Sequence, residues 1–165
     1  DNESAIVMIL DPGSYTAIVR GAIGGSGIAL VEVYDLDQLV DSKLANISTR
    51  GLVETGDNVL IGGFIVLGDN AASALLRAIG PSLPLTGSLA DPTLELHDSN
   101  GATLTSNDDW RSDQESEILA TGLPPTNDAE SAILTTLAPG SYTAIVRGAN
   151  NTTGIALVEV YQLDN

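Results

Sequence analysis

The chain has 165 residues, with six basic and 22 acidic side chains, and its formal net charge is −16 at pH 7. This balance argues against binding to nucleic-acid phosphates, because such binding requires a basic face. Cysteine is absent, which excludes disulfides and thiolate metal sites, and no apolar run approaches the ~20 residues of a membrane-spanning helix. Aromatic residues are scarce and Val, Ile, Leu, Ala and Gly are abundant, so short strands are favoured over helices.

The first 36 residues predict three short strands: residues 4–10, 15–21 and 28–36. Asp11-Pro12-Gly13 forms the first turn, and a glycine-rich loop at residues 24–27 forms the second. The third strand is apolar on both faces, which is typical of a strand that is covered on two sides. No signal peptide is visible and the chain begins at Asp1 instead of Met, so we expect that a leader or an upstream domain has been removed.

Residues 35–42 are polar enough for a linker, and strands and one helix follow it. The predicted strands cover residues 44–51, 59–67, 75–79, 93–98, 103–106, 131–137, 142–148 and 155–163. The pair Gly62-Gly63 indicates a bulge or a close backbone approach within its strand. Residues 112–120 predict a helix with Ser112 as the N-cap.

The opening residues recur at the end of the chain. Residues 1–38 and 128–165 align without a gap at an offset of 127, and 27 of the 38 positions are identical. We call the first copy the arm and the second copy the closing segment. Two domains are expected: the arm, and a sandwich at residues 39–165. Eight strands with turn signals between them predict an all-β fold, a two-sheet antiparallel sandwich of jelly-roll or Greek-key type, to which the arm adds three strands.

Two runs carry a resemblance to a known family: PTLELHDSNGATLTSNDDW at residues 92–110, and AILTTLAPGSYTAIVRGANNTTGIALVEVY at residues 132–161. They resemble the bacterial pre-peptidase C-terminal domain family of secreted β-sandwich modules. The segments LIGGFI, RAIGPSL and ALVEVY are also similar to repeats in large secreted bacterial proteins. The resemblance implies an extracellular β-sandwich that sometimes binds calcium, and it implies no enzyme.

The acidic loops suggest one metal site. Carboxylate and amide oxygens could group around Ca²⁺, and the candidate ligands are Asp98, Asn100, Asp108, Asp109 and Asp113. The alternative is that these side chains satisfy turn backbones and keep the surface soluble. The spacing matches no EF-hand loop, so calcium is a possible ligand and no cofactor is required.

With one histidine and no cysteine, the sequence offers no pair of a nucleophile and a base of the kind that catalysis usually needs. His97 is the only histidine, and we expect it on the outward face of a strand beside Glu95. Trp110 could stack on a sugar ring, which keeps a glycan partner open, or it could plug the end of the sandwich. We therefore expect that the chain is not an enzyme.

The duplicated strands suggest assembly. Two nearly identical segments can compete for one place in a sheet, so the arm could close the sandwich of another copy. We expect a secreted structural subunit of an extracellular filament or surface layer, a homopolymer built head to tail by strand donation or end-to-end stacking. The alternative is a calcium- or glycan-binding accessory module of a tandem-repeat secreted protein. The expected interface residues are Tyr15, Ile18, Ile28, Leu30, Val31, Val33, Tyr34, Ile155, Leu157 and Tyr161.

Overall fold

A computed structural model of the chain describes residues 3–36 and 44–163, so most of the expected linker at residues 35–42 lies outside the described residues. The chain divides into two compact units, Asp1–Ser42 and Lys43–Asn165. In the part of the chain that the structure describes, no helix is long and apolar enough to cross a membrane.

The second unit contains eight strands and one short helix, close to the predicted positions. They are β1 (Asn46–Val53), β2 (Leu60–Val66), β3 (Ala72–Ile79), β4 (Pro92–His97), β5 (Thr103–Asn107), α1 (Glu115–Ala120), β6 (Ser131–Leu137), β7 (Gly140–Gly148) and β8 (Gly154–Gln162). The helix is shorter than predicted, because the Ser112 hydroxyl donates to the carbonyl oxygen of Asp109 and the helix begins only at Glu115.

The strands form two four-stranded antiparallel sheets, in the orders β1-β8-β3-β6 and β2-β7-β4-β5. The first four strands pair with the last four in reverse order: β1 with β8, β2 with β7, β3 with β6, and β4 with β5. Eight strands wound in this way over two sheets are a jelly roll. The predicted fold class is confirmed.

The main core lies between the two sheets. Residues of seven of the eight described strands point into it, including Leu76 of β3, Leu94 of β4 and Val146 of β7, whereas β5 adds none. Gly62 pairs in continuous register with Ala144, so β2 has no bulge there. A Cβ atom at Gly62 would lie 3.0 Å from Cγ1 of Val158 across the core, so the close neighbour is a side chain and not a second backbone.

A second cluster covers the outer face of the β1-β8-β3-β6 sheet. Trp110 and Ile118, from the connection between β5 and β6, pack with Leu75 of β3 and Ala132 of β6. Tyr161 of β8 packs against this cluster. The apolar outer face of β8 is therefore covered at Tyr161 by the chain itself. An interface with a neighbouring subunit at Ile155, Leu157 and Tyr161 stays a prediction.

The first unit contains no strand among residues 3–36. Its one regular element there is a 3₁₀ turn at Ala22–Gly24, and every residue of this range is exposed. The three strands predicted for the arm are not formed in this unit. The pairing of the closing segment, described next, shows which partner strands such a segment needs.

Candidate assembly site

The three strands of the closing segment do not pair with one another. β6 pairs with β3, β7 lies between β2 and β4, and β8 lies between β1 and β3. We call residues 44–127, which supply all of these partner strands, the frame. A segment with this sequence can satisfy the hydrogen bonds of its strands only beside a frame, which explains why residues 3–36 of the arm contain no strand.

The arm nevertheless keeps the local backbone of the closing segment. The 3₁₀ turn Ala22–Gly24 corresponds to Ala149–Asn151, and the central residues have nearly the same dihedral angles, φ 55° and ψ 33° at Ile23, and φ 54° and ψ 31° at Asn150. The Tyr15 hydroxyl donates to the carbonyl oxygen of Asp11 at 2.7 Å, and Tyr142 makes the equivalent bond at 2.8 Å. Turns and local hydrogen bonds are therefore fixed without a frame.

Every described position that is buried in the closing segment has the same residue in the arm. In the closing segment these positions are Glu130, Ser131, Ala132, Ile133, Leu137, Ala144, Val146, Gly154, Ala156, Val158, Glu159 and Val160. In the arm, at an offset of 127, they are Glu3, Ser4, Ala5, Ile6, Leu10, Ala17, Val19, Gly27, Ala29, Val31, Glu32 and Val33. The described positions that differ between the copies are exposed or half-buried in the closing segment.

The expected interface residues fall into two groups. Those of the arm are exposed: Tyr15, Ile18, Ile28, Leu30, Val31, Val33 and Tyr34. Those of the closing segment are half-buried: Ile155, Leu157 and Tyr161. Within the first group, Val31 and Val33 match core residues of β8, and the remaining five match half-buried positions of β7 and β8.

Two polar residues at the start of the closing segment also reach into the frame. Glu130 is fully buried, and its carboxylate accepts from the backbone N–H groups of Gly80 and Ser82 and from the Ser82 hydroxyl. Ser131 is also fully buried, and its hydroxyl donates toward the carbonyl oxygens of Pro92 and Asp108. These roles were not predicted from the sequence.

A third polar contact joins β8 to the frame. Glu159 accepts from Nε and Nη2 of Arg77 at 2.9 and 2.5 Å, and it also accepts from the Tyr161 hydroxyl at 2.9 Å. Burial, together with the hydrogen bond to Glu159, raises the pKa of Tyr161. In the arm, the Tyr34 hydroxyl donates to Glu32 at 3.0 Å, and this hydrogen bond raises the pKa of Tyr34.

Gly154 is required by the frame. A Cβ atom there would lie 2.6 Å from both the backbone nitrogen and the Cα atom of Leu89. Its counterpart Gly27 has nothing within 4 Å of the same position. Among the described residues, no contact of the arm therefore requires glycine at residue 27.

The candidate calcium ligands do not form one group. Among the described residues, no three His, Cys, Asp or Glu side chains are placed to hold a metal ion. Asp98 accepts from the backbone N–H groups of Asn100 and Ala102 within the β4–β5 turn, and these bonds lower its pKa. Burial and the negative charges of Asp108 and Asp109 raise the pKa of Asp91.

Of the remaining candidates, His97 and Trp110 have structural partners. Asp113 is exposed, beside α1. His97 lies 2.9 Å from a Glu95 oxygen through Nε2 and 3.2 Å from the Gly101 carbonyl oxygen through Nδ1, next to a bulge in β4. Trp110 is only 1% exposed, and its indole N–H donates to the Asn127 carbonyl oxygen at 3.1 Å. Trp110 therefore closes the second cluster and is too buried to stack on a sugar.

The strand order defines this chain as a jelly-roll β-sandwich, and the chain carries a second copy of the sequence of its closing segment. No family model and no curated protein matches the chain. Among solved structures, it is similar to the pre-peptidase C-terminal domain of a collagenase from Bacillus anthracis. The identity is 15% and the TM-score is 0.46, over 70% of this chain and 88% of that chain.

Proposed function

We propose that the chain is a non-catalytic structural unit of an extracellular filament or surface layer, and that the arm joins units head to tail by strand donation. The observation that carries this proposal is the identity of the arm and the closing segment at all twelve buried positions. In the arm itself these residues are exposed, so their identity with core residues brings no packing. Packing would follow when the arm enters a frame.

The driving force comes from burial and from main-chain pairing. Five larger apolar residues of the arm match core positions: Ile6, Leu10, Val19, Val31 and Val33. Burying each one contributes about 1.5–3 kcal/mol before the loss of chain freedom is subtracted. Two of the three donated strands would have a partner on each side, so the edge hydrogen bonds of the frame would also be satisfied.

The number of segments limits which frame the arm can enter. Each chain has one frame and two segments that fit it, and the structure shows the frame filled by the closing segment. The closing segment is tethered to the frame of its own chain, so it acts there at an effective concentration on the order of millimolar. Its buried residues are the same as the equivalent residues of the arm. The arm therefore acts on an open frame in a neighbouring unit, and complete chains join only where a frame has opened.

Several observations support a non-catalytic role. The single histidine is hydrogen-bonded to Glu95 and to a turn carbonyl, and the chain has no cysteine. Extracellular placement rests on the resemblance of the hairpin and strand motifs to secreted modules. Calcium or glycan binding by an accessory module stays a prediction, and no contact among the described residues favours it.

Capture of an open frame tests strand donation. The probe is a tagged fragment of residues 43–127, coexpressed with the full chain. We expect a soluble 1:1 complex, because the free arm supplies the three missing strands. The matched control is the chain without residues 1–42, which keeps the second compact unit and has no free segment. Equal recovery of the probe with both chains, or with neither, contradicts the proposal.

Electron microscopy tests the filament. Full chains that refold together at about millimolar concentration offer open frames to neighbouring arms, so rows of joined particles are expected. Without residues 1–42 these rows should be lost. Isolated particles from the full chain at every concentration would argue against a filament.

A further inference from the structure

We propose that the arm selects its acceptor through a polar latch, formed by Glu3, Ser4, Glu32 and Tyr34. The acceptor is an open frame with a Gly-x-Ser turn at the place of residues 80–82 and an arginine at the place of Arg77. This inference rests on the proposed function, because it gives the chemistry of the frame that the arm enters.

The first half of the latch is visible at Glu130 and Ser131. One Glu130 oxygen accepts from the N–H groups of Gly80 and Ser82 at 3.2 and 3.0 Å, and the other accepts from the Asn127 N–H at 3.2 Å. The Ser131 hydroxyl lies 2.5 Å from the Pro92 carbonyl oxygen. All of these partners belong to the frame, so Glu3 and Ser4 would find them only in an acceptor.

The second half of the latch is visible at Glu159 and Tyr161. Arg77 reaches Glu159 through two nitrogens, donates to the Tyr161 hydroxyl at 3.0 Å, and lies 5.0 Å from the centre of the Tyr161 ring. The frame itself orients the guanidinium, because Nη1 donates to the Leu123 carbonyl oxygen at 2.8 Å. Arg77 is therefore in place to receive a Glu-x-Tyr strand.

The arm already holds its half of this contact in the same geometry. Tyr34 donates to one Glu32 oxygen at 3.0 Å, and Tyr161 donates to the corresponding Glu159 oxygen at 2.9 Å. Among the described residues, Glu32 makes no ion pair, and Tyr34 is 67% exposed. The second Glu32 oxygen matches the Glu159 oxygen that receives Arg77.

Buried carboxylates make this contact selective. A frame with an apolar surface but without the arginine and the turn would bury Glu3 without its backbone donors and would leave Glu32 with only the Tyr34 hydroxyl, which is strongly unfavourable. Specificity of this kind comes from rejecting the wrong partner as well as from binding the right one. The arm also differs from the closing segment at exposed positions such as Asp11 and Ser26, which have no such constraint.

Paired substitutions test the latch. Glu32→Met is made in the full chain, and Arg77→Met is made only in the tagged 43–127 probe. Each substitution alone leaves one charge without its partner, so capture should weaken about 30-fold or more, as for other truncated charge pairs. Both together form an apolar pair, so affinity should return to within about tenfold of the original.

Asp11→Ala is the matched control, because it removes an arm carboxylate where the closing segment has Ala138. Its capture should stay within about twofold of the original. Two results would overturn the latch and leave strand donation intact. In the first, the losses of affinity from the two single substitutions multiply in the double variant. In the second, the Glu32→Met chain captures the probe normally. Failure of the unchanged arm to capture the unchanged probe overturns strand donation itself. Recovery by the double variant also shows that the Arg77→Met probe folds.

Discussion

The arm and the closing segment share most of their sequence, but in the parts of both that the structure describes, only the closing segment forms strands. The 3₁₀ turn and the tyrosine hydrogen bond are present in both copies, so these features depend on local sequence. Strands are present only where the frame supplies hydrogen-bond partners. The comparison separates what a segment determines alone from what a partner must add.

The difference also identifies which arm residues have no local role. Gly27, Glu3 and the apolar positions are exposed in the arm, and the proposed donation would give them the contacts of their counterparts. Each pair of equivalent residues is therefore a matched experiment, in which one substitution should destabilise the sandwich and its twin should affect only donation.

The largest contrast is expected at Ile133 and Ile6. Ile133 is 3% exposed and Ile6 is 85% exposed. Ile133→Ala should lower the free energy of unfolding by about 3–4 kcal/mol, because it leaves a cavity in the core. Ile6→Ala should leave unfolding unchanged, as measured by chemical denaturation of the full chain. A similar loss in both variants would mean that the arm is packed in solution.

A smaller loss is expected at Glu130. Glu130→Ala leaves the buried Gly80 N–H without an acceptor, so the free energy of unfolding should fall by about 2–3 kcal/mol. Glu3→Ala should not change the stability of the chain and should weaken capture of the 43–127 probe. Chemical denaturation and probe capture, measured on both variants, separate the two effects. Equal stability of the two variants would contradict the assigned role of Glu130.

Gly154 and Gly27 give the next contrast. Gly154→Ala forces the Leu89 backbone to move and should cost about 1–2 kcal/mol of stability. Gly27→Ala should leave the melting temperature of the full chain unchanged and should reduce capture of the 43–127 probe. Gly25→Thr is the control, since the closing segment has Thr152 at that position. Normal capture by the Gly27→Ala arm would show that its strand does not approach Leu89 of the probe.

The smallest effect is spectroscopic. The hydrogen bond to Glu32, followed by the charge of Glu32, raises the pKa of Tyr34, whereas burial is the main cause at Tyr161. Glu32→Gln removes the negative charge and should move the pKa of Tyr34 down toward 10.0, its ordinary value. Ultraviolet titration of tyrosinate in the full chain, with the chain lacking residues 1–42 as the Tyr161 baseline, measures the shift. An unchanged titration would mean that the Tyr34–Glu32 bond is not formed in solution.

The positions of the eight strands could be predicted from the sequence, because alternation and turn residues are local signals. The pairing of β1 with β8 could not, since those strands are more than a hundred residues apart in the chain. The outer cover of the β8 sheet was also missed, because a single Trp110 in a polar loop gave no sign of the surface on which it packs.

The candidate site was predicted in part. Apolar side chains of the arm were expected at an interface because two-sided apolar strands require cover, and this stays a prediction. Glu3 and Glu32, which we propose as contact residues, were not among them, because a carboxylate in an alternating strand usually indicates an exposed face. The available signal was that both copies keep these residues while other positions change, and its meaning required the burial of Glu130 and Glu159.

The order of synthesis gives the register of β1 and β8 a kinetic meaning. Tyr161 lies opposite Asn46, so the end of the last strand lies beside the beginning of the first. A ribosome delivers the frame before residues 131–162 exist, so every new frame is open for an interval. Strand donation, as we propose it, has its acceptor in that interval, when the arm of a neighbouring copy can enter the frame before the closing segment of the same chain is complete.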